Sequence, residues 1–368
     1  MQNYSKNTDL SAESGRSVLI AMSGGGDSSV AALLLKNSGY ALVGATMKLY
    51  EKSDIAGIGE QFCCTTTDTD DAQKIANRLN FPHCVLNFQE DFEKQVIQHF
   101  ISAYERGETP NPCIDCNRFM KFSLLYQRAK EMKLSYIATG HYADIELQND
   151  RFLLKKAVDL SKDQSYVLYS LTQDQLAHTL FPLGCYTKAQ VRQIAEENGF
   201  MNAKKRDSQD ICFVPDGDYA SFIRRKTGKT YPSGDFIDEN GAVLGVHKGI
   251  IQYTIGQRRG LGLALSKPMY VADKNMEKNQ VVLAENSALF RREMDVKEVN
   301  WIALNAPTGT IKANVKIRYS HREQAAQITP ESKNCAHVIF EQPQRAITKG
   351  QAAVFYDGNY VLGGGVIC

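Results

Sequence analysis

Residues 17–29 read Ser-Val-Leu-Ile-Ala-Met-Ser-Gly-Gly-Gly-Asp-Ser-Ser, and the fold turns on them. The first six are a short apolar run suited to a parallel strand buried on both faces. Residues 27–37 (DSSVAALLLKN) have helical character and stop near Gly39. Between strand and helix, Ser23, Gly24, Gly25, Gly26, Asp27, Ser28 and Ser29 make a glycine-rich turn. Glycines allow a tight turn and let backbone N–H groups approach an anion, and the helix N-terminus adds about half a positive charge. The serine hydroxyls are further donors, and an aspartate here can hold Mg²⁺ on phosphate oxygens. The turn lacks the Gly-Lys-Ser/Thr ending of a Walker A loop and is not a clear dinucleotide fingerprint.

Working outward, strand signals at 41–47, 84–88 and 136–139 alternate with helical patterns at 70–79, 92–104 and 119–132. This order predicts an α/β doubly wound parallel sheet with helices on both faces and its ligand at the carboxyl ends of the strands. Beyond about residue 213 the character changes. Turn signals at 215–217, 227–228 and 232–234 flank a short basic helix at 219–226, and β-rich segments follow at 281–284, 312–319, 337–340 and 352–356. The expected organisation is a catalytic domain over 1–214, a small mixed middle domain over 215–280 and a C-terminal β-barrel-like domain over 281–368.

The 368 residues are 43% hydrophobic and 23% charged, which excludes a disordered or fibrous chain. Lys plus Arg is 43 and Asp plus Glu is 41, a net charge of +2. Residues 1–200 hold 20 basic and 24 acidic side chains, and residues 201–368 hold 23 and 17, so a −4 half precedes a +6 half that suits a polyanion. No apolar signal core opens the chain and no run of 18 apolar residues occurs, so the expectation is a cytoplasmic protein with no membrane partner. Nine cysteines, an odd number, argue against a complete disulfide framework.

Two of the cysteines stand in Thr109-Pro110-Asn111-Pro112-Cys113-Ile114-Asp115-Cys116-Asn117, which reads as a proline-stiffened loop carrying C-x-x-C. A third, Cys212, ends the run Asp207-Ser208-Gln209-Asp210-Ile211-Cys212. Redox, zinc and iron–sulfur uses are all open to such a set, and Cys212 is equally compatible with a small buried hydrophobe.

The glycine-rich turn resembles the PP-loop (SGGxDS) of ATP pyrophosphatases, with Gly26 at the variable position. Together with TPNPCxxCN, Ala138-Thr139-Gly140-His141-Tyr142-Ala143, Lys162-Asp163-Gln164-Ser165-Tyr166, Leu180-Phe181-Pro182-Leu183-Gly184 and DSQDICF, it resembles the MnmA/TrmU family of tRNA-specific 2-thiouridylases. The likeness continues through YTIGQRRGLG (253–262) and GQAAVFY (350–356) to LGGGV (362–366).

This resemblance implies an ATP- and Mg²⁺-dependent adenylation of C2 of the wobble uridine, followed by sulfur transfer. It implies that Ala21, Met22, the residues from Ser23 to Ser29, Met47 and Gly140 bind ATP. The position of Cys212 carries a persulfide and Cys116 is the second nucleophile, with a transient Cys116–Cys212 disulfide. Thiolates need a positive neighbourhood, for which Lys204-Lys205-Arg206 is one source. Many members carry Asp where this chain has Cys113. That makes a third thiol, and Cys113, Cys116 and Cys212 are then also a candidate iron–sulfur ligand set. The same carry-over points Asn111, Pro112, Cys113, His141, Lys162, Asp163, Gln164, Arg318, Tyr319 and Gln351 toward tRNA, with the target base flipped out. Lys229, Lys248, Arg258 and Arg259 are candidates for phosphate contacts. The implied partners are tRNA and a sulfur donor such as a cysteine desulfurase or relay protein. Two alternatives stay open: another PP-loop adenylating synthetase, or an RNA-binding module that keeps a degenerate loop.

Overall fold

The computed structural model describes residues 16–51, 66–202 and 211–368. Its elements begin with β1 (Ser17–Ala21), α1 (Gly26–Asn37), β2 (Ala41–Lys48), α2 (Thr66–Arg78) and β3 (His83–Asn87). A helical stretch follows as α3 (Gln89–Phe92), a π turn (Glu93–Ile97) and α4 (Gln98–Glu105). Next come α5 (Pro112–Asp115), a π-helix (Cys116–Leu124), α6 (Leu125–Glu131), β4 (Tyr136–Ala138), β5 (Ala143–Gln148) and β6 (Arg151–Lys156). The run closes with α7 (Gln173–Ala177), β7 (Thr179–Leu180) and α8 (Lys188–Glu197).

One compact unit comprises the described residues up to Val96, Cys113–Pro215 and Gly358–Leu362. Its sheet has the order β3-β2-β1-β4-β7, with every pairing parallel. Val18, Leu19 and Ile20 are fully buried, as expected of a central strand covered on both faces. Val30, Ala31, Ala32 and Leu35 of α1 pack into the same core with Ala72, Ala76 and Val191. A β5–β6 hairpin adds to this unit, and Tyr360 pairs with Lys155 of β6. The sequence expectation of a doubly wound parallel sheet is met.

One local expectation changes. The segment from Pro112 is helical, where a loop was read. Proline suits the first helical position, where its missing N–H has no intrahelical partner to lose. The helix expected over 119–132 therefore begins earlier, and its first part is π rather than α.

The second unit comprises Ile97–Pro112, Asp216–Asp357 and Gly363–Cys368. It contains α9 (Tyr219–Thr227), β8 (Gly234–Ile237), β9 (Val243–His247), β10 (Tyr270–Asn275) and β11 (Gln280–Ala284). These strands form a sheet in the order β10-β11-β8-β9. Then follow β12 (Phe290–Trp301), β13 (Ile311–Lys316), β14 (Gln324–Ser332), β15 (Cys335–Arg345), β16 (Ala352–Asp357) and β17 (Tyr360–Ile367). The order β12-β15-β14-β13-β16-β17 closes on itself through a β12–β17 pairing, so these strands form a barrel without free edges. Phe340, Phe355, Val338 and Ile328 fill it.

Candidate active site at the switch point of the parallel sheet

The strand order reverses between β1 and β4, and at such a point the loops leaving the strand ends separate into a crevice. The loop after β1 is Met22–Gly25, running into α1 at Gly26. Met22 is buried, its N–H donating to Ala45 O at 2.8 Å and its carbonyl accepting from Thr46 Oγ1 at 2.9 Å. Gly24 has φ +71, and a methyl there would lie 2.8 Å from the Cα of Asp68, so only glycine fits. Gly25 is the N-cap and has no side chain to cap the first turn. The hydroxyls of Ser28 and Ser29 instead donate to Gly25 O at 3.1 and 3.0 Å. The helix start is thus uncapped by its own N-cap residue, which favours an external anion.

The loop after β4, Thr139–Tyr142, lies between this helix start and the helix that carries Cys116. A Cβ on Gly140 would meet Ser28 N at 3.0 Å and Asp27 C at 3.1 Å, so the glycine lets the two loops approach. Ala21, Met47 and Gly140 thus stand at the ends of β1, β2 and β4. Tyr142 OH donates to Asp27 Oδ1 at 3.0 Å. Lys188, the first residue of α8, donates from Nζ to both Asp27 oxygens at 2.8 Å. His141, between them, is buried against the rings of Phe122 and Phe181. Its Nε2 accepts from Lys121 Nζ at 3.5 Å, which leaves Nδ1–H to donate to Thr139 Oγ1 at 2.7 Å. Burial and the Lys121 charge hold this imidazole neutral, its pKa well below the ordinary histidine value.

Lys121 reaches the thiols through the π-helix. Residues five apart on an α-helix point about 140° apart. The wider π turn, whose hydrogen bonds run five residues back, brings them toward one face. Leu125 N–H accordingly donates to Met120 O. Cys116 is half-buried, and burial pushes its thiol up to about 11 with Lys121 opposing. Cys113 is exposed as a residue, yet close packing around it also raises its thiol, again against Lys121. Cys212 is half-buried, and its carbonyl accepts from Tyr50 OH at 3.3 Å. No disulfide joins any two of these three cysteines. Lys204, Lys205 and Arg206, like Asp207–Asp210 and Cys63 and Cys64, lie outside the described residues.

Other singled-out residues hold the chain in place. Asp163 is buried and accepts from Ala157 N at 3.1 Å and Ser165 Oγ at 2.7 Å. Gln164 and Tyr142 exchange bonds: Tyr142 N donates to Gln164 Oε1 at 2.9 Å, and Gln164 N to Tyr142 O at 2.8 Å. Lys162 is half-buried beside them. In the second unit, Gln351 Nε2 donates to Thr109 O at 2.6 Å, just before Asn111 and Pro112, which are half-buried and buried. Arg318 donates to Ala346 O at 2.8 Å and Thr348 Oγ1 at 2.6 Å, while Tyr319 is 43% exposed. Lys229 pairs with Glu105 at 2.7 Å; Lys248, Arg258 and Arg259 are exposed.

Sequence reasoning did not single out Lys121 or Lys188. Thr187 and Gln190 form a capping box that marks the start of α8, but nothing local says that Lys188 reaches residue 27.

Residues 16–216 match the family described as tRNA methyl transferase HUP domain, 220–285 its PRC-barrel domain, and 291–367 the aminomethyltransferase beta-barrel domain. The tRNA-specific 2-thiouridylase MnmA of Clostridioides difficile (strain 630) is 48% identical over 96% of this chain and 98% of its own. The proteins of the same name from Clostridium kluyveri and Acetivibrio thermocellus are 47% and 48% identical, each over 96% of this chain and 99% of their own. Among solved structures, NMN synthetase from Francisella tularensis aligns with 59% of this chain and 79% of its own at 17% identity and a TM-score of 0.34, too slight a likeness to add anything. Near-half identity over 96% of the chain and nearly the whole of each relative is a relation of whole proteins: the chain belongs to the tRNA-specific 2-thiouridylase family.

Proposed function

We propose that the protein converts the C2 oxygen of the wobble uridine of tRNA to sulfur, using ATP. The observation that carries this reading is the Thr139–Tyr142 loop, which touches the glycine loop through Gly140 and Tyr142 and the thiol helix through His141 and Lys121. An anion site and a thiol site joined by four residues suit a reaction that activates with a nucleotide and then delivers sulfur.

The uridine O2 attacks the α-phosphorus of ATP, pyrophosphate leaves, and C2 now bears an adenylate leaving group. Ala21, Met22, Met47 and Gly140 border the adenosine, and Ser23–Ser29 hold the phosphates. Asp27 and Lys188 form a charged pair beside the loop; Asp27 would hold Mg²⁺, which would offset the triphosphate charge, and Lys188 would pair with the phosphates. The persulfide on Cys212, received from a persulfide-bearing donor protein, attacks C2 through its outer sulfur and expels AMP. Cys116 thiolate then attacks the inner sulfur. The S–S bond breaks with its electron pair going to the sulfur on C2, and a Cys116–Cys212 disulfide forms, which an external dithiol reduces. Asn111, Pro112 and Cys113 border the flipped base, and exposed Tyr319 offers a ring for stacking. His141, Lys162, Asp163 and Gln164 shape the site behind it, while Arg318 and Gln351 support the tRNA-facing segments. The alternative use of Cys113, Cys116 and Cys212 as iron–sulfur ligands rests on Cys113 alone. We favour the route above because it needs only Cys116 and Cys212.

We take the domain limits as 1–214, 215–280 and 281–368, which the three matched ranges support. We infer a cytoplasmic protein from its proposed action on tRNA. No helix among the described residues is long and apolar enough to cross a membrane.

Purified protein, unmodified tRNA, ATP and a persulfide source should yield 2-thiouridine by nucleoside mass spectrometry. A methylated uridine, or none altered, would overturn the reading.

A further inference from the structure

Asn202 follows α8 and is 6% exposed. Its Nδ2 donates to Gly24 O at 3.0 Å and to Ser29 Oγ at 2.9 Å. The Gly24 carbonyl can only accept, which fixes the amide's orientation. Its Oδ1 is buried and has no hydrogen-bond partner among the described residues.

A peptide is planar and trans, so its C=O and N–H point in opposite directions. Holding Gly24 O toward Asn202 turns the Gly25 N–H away from it. Holding Gly25 O toward Ser28 and Ser29 turns the Gly26 N–H outward in the same manner. Successive N–H groups set this way make an anion-binding concavity. Three consecutive glycines do not hold such an arrangement by themselves, because each has wide φ/ψ freedom and the intervening peptides can flip.

We propose that Asn202 is a positioning residue for the triphosphate: it fixes the Gly24–Gly25 peptide so that the Gly25 N–H faces the phosphates. This rests on reading the loop as the nucleotide site. Asn202 touches no phosphate itself; it acts through the backbone it holds. The contact therefore bears on phosphates and not on adenosine.

Asn202→Asp keeps the shape, removes the donor and sets a carboxylate oxygen against Gly24 O. Asn202→Ala removes the whole carboxamide, donor included, and adds no charge. In the full-length protein, each should weaken binding of a non-hydrolysable ATP analogue and of inorganic triphosphate about tenfold, Asp more than Ala. Affinity for adenosine and for unmodified tRNA should stay within about twofold. Asn202→Gln, with its donor on a longer arm, should recover part of the loss. Wild-type affinity for triphosphate in the Asp and Ala variants would overturn the proposal. So would an equal loss for adenosine, which would mark Asn202 as a packing residue. Wild-type protein failing to bind the ATP analogue would instead remove the nucleotide reading, and this proposal with it.

Discussion

Lys188 Nζ lies 2.8 Å from each carboxylate oxygen of Asp27, 161 residues away in the chain. The side chains are 12% and 30% exposed, too enclosed for a solvated surface pair. Tyr142 OH occupies one of the same oxygens, and the capping box of Thr187 and Gln190 fixes the start of the helix that carries Lys188. The pair sits where the resemblance puts the triphosphate. On the proposed reading, a lysine already held beside the loop would supply positive charge to pyrophosphate as it leaves, without reorganising at the moment of reaction.

Lys188→Met keeps most of the stem and removes the charge. Asp27 then faces the phosphates with no counter-charge on α8. Pyrophosphate release with tRNA present should fall about a hundredfold, with tRNA affinity within about twofold. A radiolabelled pyrophosphate assay checks this. Release at the wild-type rate would reduce the pair to a structural one.

The Cys116 thiol is pushed up to about 11 by burial, with Lys121 opposing the rise. A raised thiol pKa means that the reactive thiolate is scarce at pH 8, on the order of one part in a thousand, and grows about tenfold per pH unit toward 11. Alkylation of Cys116 by iodoacetamide, followed by peptide mapping, should show that climb. Lys121→Met removes the favourable charge and should slow alkylation several-fold at every pH below the plateau; Lys121→Arg should not. Wild-type rates in Lys121→Met would separate the ammonium from the thiols.

The parallel sheet was legible because its strands are short apolar runs, such as Ser17–Ala21, that alternate with helical patterns. The glycine loop was legible because a local string carries its geometry. The rest of the site depends on the tertiary structure. The sequence from Cys116 to Leu124 has nothing that distinguishes a π turn from an α turn, so the approach of Lys121 to Cys116 could not be read. Lys188 and Asn202 reach the loop from residues far along the chain. The barrel was under-read at β12, β14 and β17, where exposed alternate residues dilute the apolar signal or glycines interrupt it. The segment at Pro112 misled because proline stiffens a loop and opens a helix equally well.

His141 is buried neutral, its pKa well below the ordinary value. Above about pH 7 it is uncharged in both folded and unfolded chains and contributes no pH dependence. As pH falls through about 6.5 the unfolded chain takes up the proton and the folded one does not, so stability drops by up to about 1.4 kcal/mol per pH unit. His83, His247 and His321 are lowered by burial too, but they are common to any variant at 141. Between pH 6.5 and 5.5, wild type should therefore lose about 1 kcal/mol more in urea unfolding than His141→Gln. Parallel pH profiles would show that the imidazole titrates freely.

The sulfur route assigns different failures to each thiol, and the variants can be told apart by what accumulates. Cys212→Ser removes the persulfide carrier: no 2-thiouridine forms, while pyrophosphate release and tRNA binding persist. Cys116→Ser removes the thiolate that cleaves the link between Cys212 and the sulfur on C2, so a tRNA–protein adduct builds up on a denaturing gel and disappears with dithiothreitol. Cys113→Ser leaves both steps in place and should lower the rate by no more than a few-fold, because Cys113 borders the base without exchanging sulfur. A different pattern follows if the three thiols hold iron: each variant, Cys113→Ser included, abolishes activity, and anaerobically prepared wild type carries iron and sulfide. Full activity of protein stripped of iron by a chelator, then freed of the chelator and assayed with Mg²⁺ and a persulfide donor, together with the adduct in Cys116→Ser, is the expected result. Loss of activity on chelation, with no adduct in Cys116→Ser, would replace the persulfide route.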